Sequence, residues 1–246
     1  MDAAKRTLGF ITIALAAIVV ACGGGKSSNN VPAADDTSRE ITDEQLSQMV
    51  LALGDFGPDY GGFTADPENG VTNLDTASKD DFDPAGERAD LETAGFQSGF
   101  NTFYQDQPAA GKPFFLGSGI HLFTEKQGAA QYVSDSRTEL TEYLGKTIDE
   151  ITIQSSTPFE VDIGDEAVGA DMELVVKSED GSSVTVWYTA AMFRRGRLIG
   201  AVAISGIDLT ELDRKRLHGN AEGLAAAMNG RIASVLAAAP PAAAEQ

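Results

Sequence analysis

Thiol and imidazole chemistry in this 246-residue chain rests on three side chains, Cys22, His121 and His218. A nucleophile relay needs a base within hydrogen-bond reach of a serine, threonine or cysteine, and a third group to orient that base. His121 sits between Ile120 and Leu122 in a stretch with strand character, so it should point away from the apolar row, solvent-facing or loosely packed. His218 lies among Arg214, Lys215 and Arg216, which places it on the exposed face of a helix. Neither setting predicts catalysis. The chain carries no P-loop, G-x-G-x-x-G, H-E-x-x-H or G-x-S-x-G, the local signatures of phosphate, dinucleotide, zinc-protease and esterase chemistry. Carboxylate pairs of the glycosidase kind are assembled in space from distant positions, and among 37 acidic residues no pair is singled out. The expectation is a protein that is not an enzyme and takes no cofactor.

The acids are densest from Asp66 to Glu92, with Asp75, Asp80, Asp81, Asp83, Glu87 and Asp90 alongside Pro67, Gly70, Pro84 and Gly86. A calcium loop needs oxygens in the register D-x-[DN]-x-[DN]-G with a glutamate six residues after the glycine, and neither Asp66 to Gly70 nor the Asp80 region keeps it. The stretch therefore reads as an exposed loop or long turn, without a metal. With 18 basic residues against 37 acidic ones the net charge is −19, which argues against nucleic acid and against a surface lying flat on anionic lipid. Two features stand out from this background as a candidate surface. Ile163-Gly164-Asp165-Glu166-Ala167 places adjacent acids after a glycine where a strand should begin, and Arg194, Arg195 and Arg197 gather at a turn. A basic turn suits an anionic ligand or partner, because arginine offers carboxylate or phosphate a planar fork of donors. The competing reading is that the arginines pair with nearby acids.

At the start of the chain, Lys5 and Arg6 precede an uncharged apolar run from Leu8 to Val20. A spanning helix needs roughly twenty apolar residues, so a run of about thirteen has the length of the apolar region of a secretory signal peptide. The run ends in Val19-Val20-Ala21-Cys22, which resembles the lipobox of bacterial lipoproteins. That resemblance implies a diacylglyceryl group on the Cys22 sulfur and cleavage just before it, with residues 1–21 removed as a signal peptide. Cys22 is also the only cysteine, so an internal disulfide is not available to it. Two or three acyl chains, at ~0.8 kcal/mol per buried methylene, would hold the protein on the outer side of a membrane. Loss of Asp2, Lys5 and Arg6 with the leader leaves 16 basic and 36 acidic residues.

Residues 22–40 then read as the lipidated cysteine and a flexible tether, since Gly23 to Arg39 is rich in Gly, Ser, Asn and Asp with no apolar periodicity. Such a spacer of about seventeen residues has a mean reach of roughly 20 to 25 Å. Residues 41–236 are expected to form one domain, and 237–246 an Ala/Pro tail without fixed structure.

Within the domain, Thr42 with Gln45 forms a capping-box pattern opening a short helix through Met49, Leu51 and Leu53. Thr124 with Gln127 repeats it before a helix running to about Leu144, with Ala129, Tyr132, Val133, Leu140 and Tyr143 as apolar stripe. Asp208 with Glu211 opens a third, with Leu212, Ala221, Leu224, Met228, Ile232 and Val235 inward. Gly95 to Gln105, with Phe96, Phe100 and Tyr104 on one side, and Pro113 to Phe123, with Leu116, Ile120 and Leu122 on one face, predict a hairpin. Met172 to Val176, Val184 to Phe193 and Leu198 to Ile204 predict an antiparallel meander, and Ile148 to Gln154 a further strand. The expected class is α+β: a mainly antiparallel sheet of about five to six strands with three helices packed on it.

Four segments carry a wider resemblance: Gly95-Phe96-Gln97-Ser98-Gly99-Phe100, Leu122 to Ala130, Ile163 to Ala167, and Phe193-Arg194-Arg195-Gly196-Arg197-Leu198. Over roughly Leu91 to Ile232 they resemble a loosely defined set of extracytoplasmic bacterial lipoproteins and sensor domains. That set includes the outer domain of certain receptor serine/threonine kinases and small lipoproteins with a PsbP-like sheet. The resemblance implies binding of a ligand or partner and no known chemistry; members like the kinase sensor carry disulfides, which one cysteine does not allow. Two readings of function follow. In the first, a ligand-binding or sensing lipoprotein has a concave, partly apolar pocket for an unknown small ligand. In the second, an assembly factor meets an envelope protein through an exposed apolar patch of several hundred Å².

Overall fold

The computed structural model describes residues 37–238, apart from 80, 82, 149 and 178–180 and the side chains of 137 and 139–142. The expected leader and lipobox with Cys22, most of the expected tether and residues 239–246 of the expected tail lie outside the described residues. The chain begins with helix α1 (Asp43–Met49), two 3-10 turns (Leu53–Phe56 and Pro58–Tyr60), short strands β1 (Thr64–Ala65) and β2 (Gly70–Thr72), and helices α2 (Leu74–Ser78) and α3 (Pro84–Ala94). A hairpin of β3 (Phe96–Gln105) and β4 (Lys112–Phe123) leads to α4 (Lys126–Tyr143). Strands β5 (Thr147–Ile148), β6 (Ile151–Phe159), β7 (Glu166–Lys177), β8 (Ser183–Arg195) and β9 (Leu198–Ile207) follow, and α5 (Glu211–Ala237) closes the fold.

All nine strands join one sheet in the order β1-β3-β4-β9-β8-β7-β6-β5, with β2 also on β3, and every pairing between them is antiparallel. The α+β class and the hairpins stand as expected, but among the described residues nine strands and five α-helices exceed the expected five to six and three. The central strand β9 is buried along all ten residues, Leu198-Ile-Gly-Ala-Val-Ala-Ile-Ser-Gly-Ile207. Its unbroken apolar run is what a strand covered on both faces requires. On one face α3 and α4 pack Leu91, Ala94, Tyr132 and Val133 against Phe103, Phe123, Leu174 and Tyr188. On the other, α1 and α5 pack Leu46, Met49, Leu217, Met228 and Ile232 against Leu116, Ile120, Val202 and Phe193. Each fully buried side chain of this size adds roughly 1.5 to 3 kcal/mol of transfer free energy.

Several local expectations are corrected. Asp66 to Glu92 is not a loop. It holds β2, α2 and α3; Asp83 caps α3 by accepting from the Gly86 N–H at 3.1 Å, Pro84 occupies the first turn, and Leu91 is fully buried. The acids there lie mostly outward and masked the short apolar face. The Thr42 and Gln45 capping box forms as expected. At α4 the Thr124 hydroxyl instead donates to Gly95 O at 2.9 Å, and no side chain caps that helix. At α5 the cap is Thr210, accepting from the Asp213 N–H at 3.2 Å, so Leu212 turns outward and is 77% exposed, while Leu217 and Leu236 join the buried stripe. A β-bulge between Phe96 and Ser98 moves Phe96 to the α4 face, away from Phe100 and Tyr104. Thr37, assigned to the tether, is buried, and Ala237 of the expected tail belongs to α5.

Candidate functional site

The β8–β9 turn brings the two sequence features together and then divides the arginines among separate partners. Arg194 Nη1 donates to Asp165 Oδ2 and to Gly196 O, each at 3.0 Å, and its Nε lies 3.5 Å from Glu166 Oε2. Arg195 Nη1 donates to Asn229 Oδ1 on α5 at 2.8 Å. Arg197 serves as a clamp. Its Nη1 donates to Gln97 Oε1 at 2.8 Å and to Phe123 O at 3.0 Å, its Nη2 to Arg39 O at 2.6 Å, and its Nε to Thr37 O. Gly196 has φ +62°, and a Cβ there would lie 2.1 Å from the Thr37 hydroxyl, so the turn admits the segment at Thr37 only because it has glycine. Arg39 continues the stitching through Nη2 to Val235 O at 3.3 Å and Nη1 to Ala238 O at 3.4 Å. Residues 37–41 thus form a strap tied to the β8–β9 turn and to the end of α5.

Beside this strap lies an open groove of about 570 Å³. Thr37, Ser38, Glu40 and Ile41 form one wall, Thr124 to Gln127 at the start of α4 the other, and Gln97 and Arg197 complete it. A smaller hollow of about 350 Å³ adjoins it through Thr124, Glu125 and Gln127. Where β4 begins, at the opposite end of that strand, Tyr60, Phe63, Pro113 and Arg216 line a hollow of about 400 Å³. Of large apolar residues, Val71, Leu144 and Leu212 are exposed, on three separate elements.

A second constellation lies under α5, where sequence reasoning named His218 but placed no site. Trp187 Nε1 donates to Thr189 Oγ1 at 3.1 Å, Thr189 Oγ1 lies 2.8 Å from Asp171 Oδ1, and Asp171 Oδ2 lies 2.8 Å from His218 Nδ1. Phe159 lies against the imidazole with ring centroids 4.1 Å apart, and Arg214 stacks over Trp187 at 4.5 Å while pairing with Glu173 at 3.2 Å. His218 is therefore not on the exposed helix face: the α5 register turns it onto the sheet. The available signal was the alternation of Asp171 and Glu173 with Met172 and Leu174, which puts both acids on one face of β7. His121 does point away from Leu116, Ile120 and Leu122, and its ring is half-buried beside α4, loosely packed and not fully solvent-facing. Its ring meets Phe96 edge-on at 5.1 Å and Tyr132 at 6.4 Å, and burial pushes its pKa down to about 4. Among the described residues no three His, Cys, Asp or Glu side chains gather as a metal site, and Asp66 and Asn69 accept hydrogen bonds from Gln105 and the Phe103 N–H.

No protein-family model and no curated protein matches the chain. Among solved structures, the extracellular domain of PknH from Mycobacterium tuberculosis, a receptor kinase, has the same fold, with a TM-score of 0.50 and 12% identity over 80% of this chain and 98% of that one. At that identity the likeness is one of fold. Among the described residues no helix is long and apolar enough to cross a membrane.

Proposed function

We propose that the chain is a lipid-anchored extracytoplasmic lipoprotein that binds a small ligand without transforming it, in the groove beside the strap. The groove carries the reading: about 570 Å³ lies within the size range of small-molecule sites, and its lining mixes Ile41 with the polar residues Ser38, Gln97 and Gln127. The fold shared with an extracellular domain agrees with a place outside the cytoplasm. The lipid anchor rests on Val19-Val20-Ala21-Cys22 and on the apolar leader before it. Binding is favoured over catalysis because His121 is packed against aromatic rings and the hydroxyl nearest the His218 relay, Thr189, is fully enclosed. The exposed apolar residues, divided among β2, the end of α4 and the start of α5, give less support to a partner surface.

Two experiments test the two halves separately. Cys22→Ser in the native host should abolish palmitate labelling and move the protein from the membrane to the soluble fraction; unchanged labelling rejects the anchor. Native mass spectrometry of the protein purified from its host should show a bound small molecule that is lost in a Ser38→Trp, Gln127→Trp variant, whose indoles fill the groove. A ligand retained by that variant, or none bound to either protein, rejects the groove.

A further inference from the structure

Among the described residues no acid neutralises the charge of Arg197. Arg194 pairs with Asp165 and Glu166, Arg214 with Glu173, and Arg231 with Asp55. The four acceptors of Arg197 are instead neutral oxygens, those of Thr37, Arg39, Gln97 and Phe123. A guanidinium has five N–H bonds, so one of them, on Nη2, has no acceptor among the described residues. The side chain is half-buried and lines the groove beside the strap. A charge held on neutral dipoles and partly shielded from water keeps its attraction for an anion. Because four hydrogen bonds already fix the fork, an anion meets it without the cost of ordering a long side chain.

The other charges of the groove are Glu40 on the strap and Glu125 and Lys126 at the start of α4. All three are exposed, and among the described residues none of their side chains makes a hydrogen bond or ion pair. Two cations and two carboxylates therefore line one hollow of about 570 Å³. A plain anion is repelled there by both acids and by a chain of net charge −19, and a plain cation is repelled by Arg197 and Lys126. A molecule that carries both charges is attracted at each end. We propose that the groove takes a zwitterion of the amino-acid or short-peptide class, with its carboxylate at Arg197 and Lys126 and its ammonium at Glu40 and Glu125. This assignment rests on the groove being the binding site and adds the chemistry of the ligand. The planar guanidinium suits a carboxylate, and Ile41 supplies an apolar contact for the ligand's side chain. The volume exceeds that of one amino acid, so a short peptide, which bears the same two charged ends, belongs to the class as well.

Isothermal titration of the full chain, dialysed free of bound molecules, with the L-amino acids and with a set of dipeptides reads both ends of the ligand. The best binder should lose about fivefold in affinity when its amine is acetylated, the loss expected of exposed ion pairs. Amidation of its carboxylate should cost more, about tenfold, because Arg197 is fixed and half-buried. Glu40→Gln, Glu125→Gln, a pair of changes at exposed positions, should remove the penalty for acetylation and leave the penalty for amidation in place. Lys126→Gln should reduce the amidation penalty alone. Whether free amino acids or dipeptides bind more tightly distinguishes the two sources of the same chemistry. The proposal is overturned if no member of either set binds at millimolar concentration, or if affinity is indifferent to acetylation and amidation. A co-purified molecule that the Ser38→Trp, Gln127→Trp variant loses but that lacks an ammonium or a carboxylate leaves the groove standing and overturns this ligand class. Absence of any groove-bound molecule overturns both.

Discussion

Tyr188 carries its hydroxyl into the core beneath α4, where it makes no hydrogen bond among the described residues, and burial pushes its ionisation well above the usual phenol range. A polar group so enclosed costs roughly 1 to 3 kcal/mol of desolvation. Tyr188→Phe should therefore leave stability unchanged or raise it by about 1 kcal/mol, measured by urea unfolding. His121 tests the same physics with a charge. Its folded pKa is about 4 against 6.5 for the free side chain, so between those values the unfolded chain takes up a proton that the folded chain refuses. Stability from this group is thus complete above pH 6.5 and is lost as the pH falls toward 4, by up to about 3 kcal/mol. His121→Gln should flatten the stability profile in that window relative to wild type; equal slopes would mean that the half-buried ring keeps an ordinary affinity for protons. Arg197 acts on the backbone. Arg197→Lys keeps the charge but loses the planar fork that reaches Thr37, Arg39, Gln97 and Phe123 together, and limited proteolysis should then cut within residues 37–41.

At the level of elements, α5 spans 27 residues with glycines at 219, 223 and 230, each exposed and with nothing within 4 Å of the position a Cβ would take. Gly223→Ala should stabilise the domain by about 0.5 to 1 kcal/mol, seen as a higher melting temperature, because alanine removes backbone freedom from the unfolded chain alone. If the melting temperature falls, the exposed face of α5 meets something in solution. For α3 the opposite sign holds: Asp83→Ala removes its cap and should cost about 1 kcal/mol. The capping patterns themselves show how far local sequence reaches. Thr42 with Gln45 forms its box because nothing competes for either side chain, whereas Thr124 is drawn to Gly95 O, a partner 29 residues away. No local pattern carries information about such a rival.

The whole molecule is organised around β9, whose two faces belong to the two cores. Neither core survives the loss of that strand, so unfolding in urea should be a single transition, with Trp187 fluorescence and far-ultraviolet circular dichroism giving one midpoint. Two separate midpoints would show that the α1 and α5 layer melts apart from the α3 and α4 layer. The strap couples this fold to whatever precedes residue 37, because Thr37 is packed under Gly196 and Arg39 reaches the last turn of α5.

The strand and helix positions of the hairpin, the meander, α1, α4 and α5 were legible from residue order, since periods of two and of three to four report which side of an element is apolar. So was the turn chemistry of Arg195-Gly196, with glycine at positive φ. The helical content of residues 66–92 was not, because its few inward apolar residues are outnumbered by acids, most of which lie outward, with Glu87 buried as the acceptor of the Tyr132 hydroxyl. Nor was the location of any candidate site. Whether Arg197 is a ligand-binding group or a clamp, and whether His218 faces water or Asp171, depends on partners 47 to 160 residues distant. Periodicity assigns a side chain to a face, but what lies opposite that face is set by packing of the entire sheet and its two helical layers.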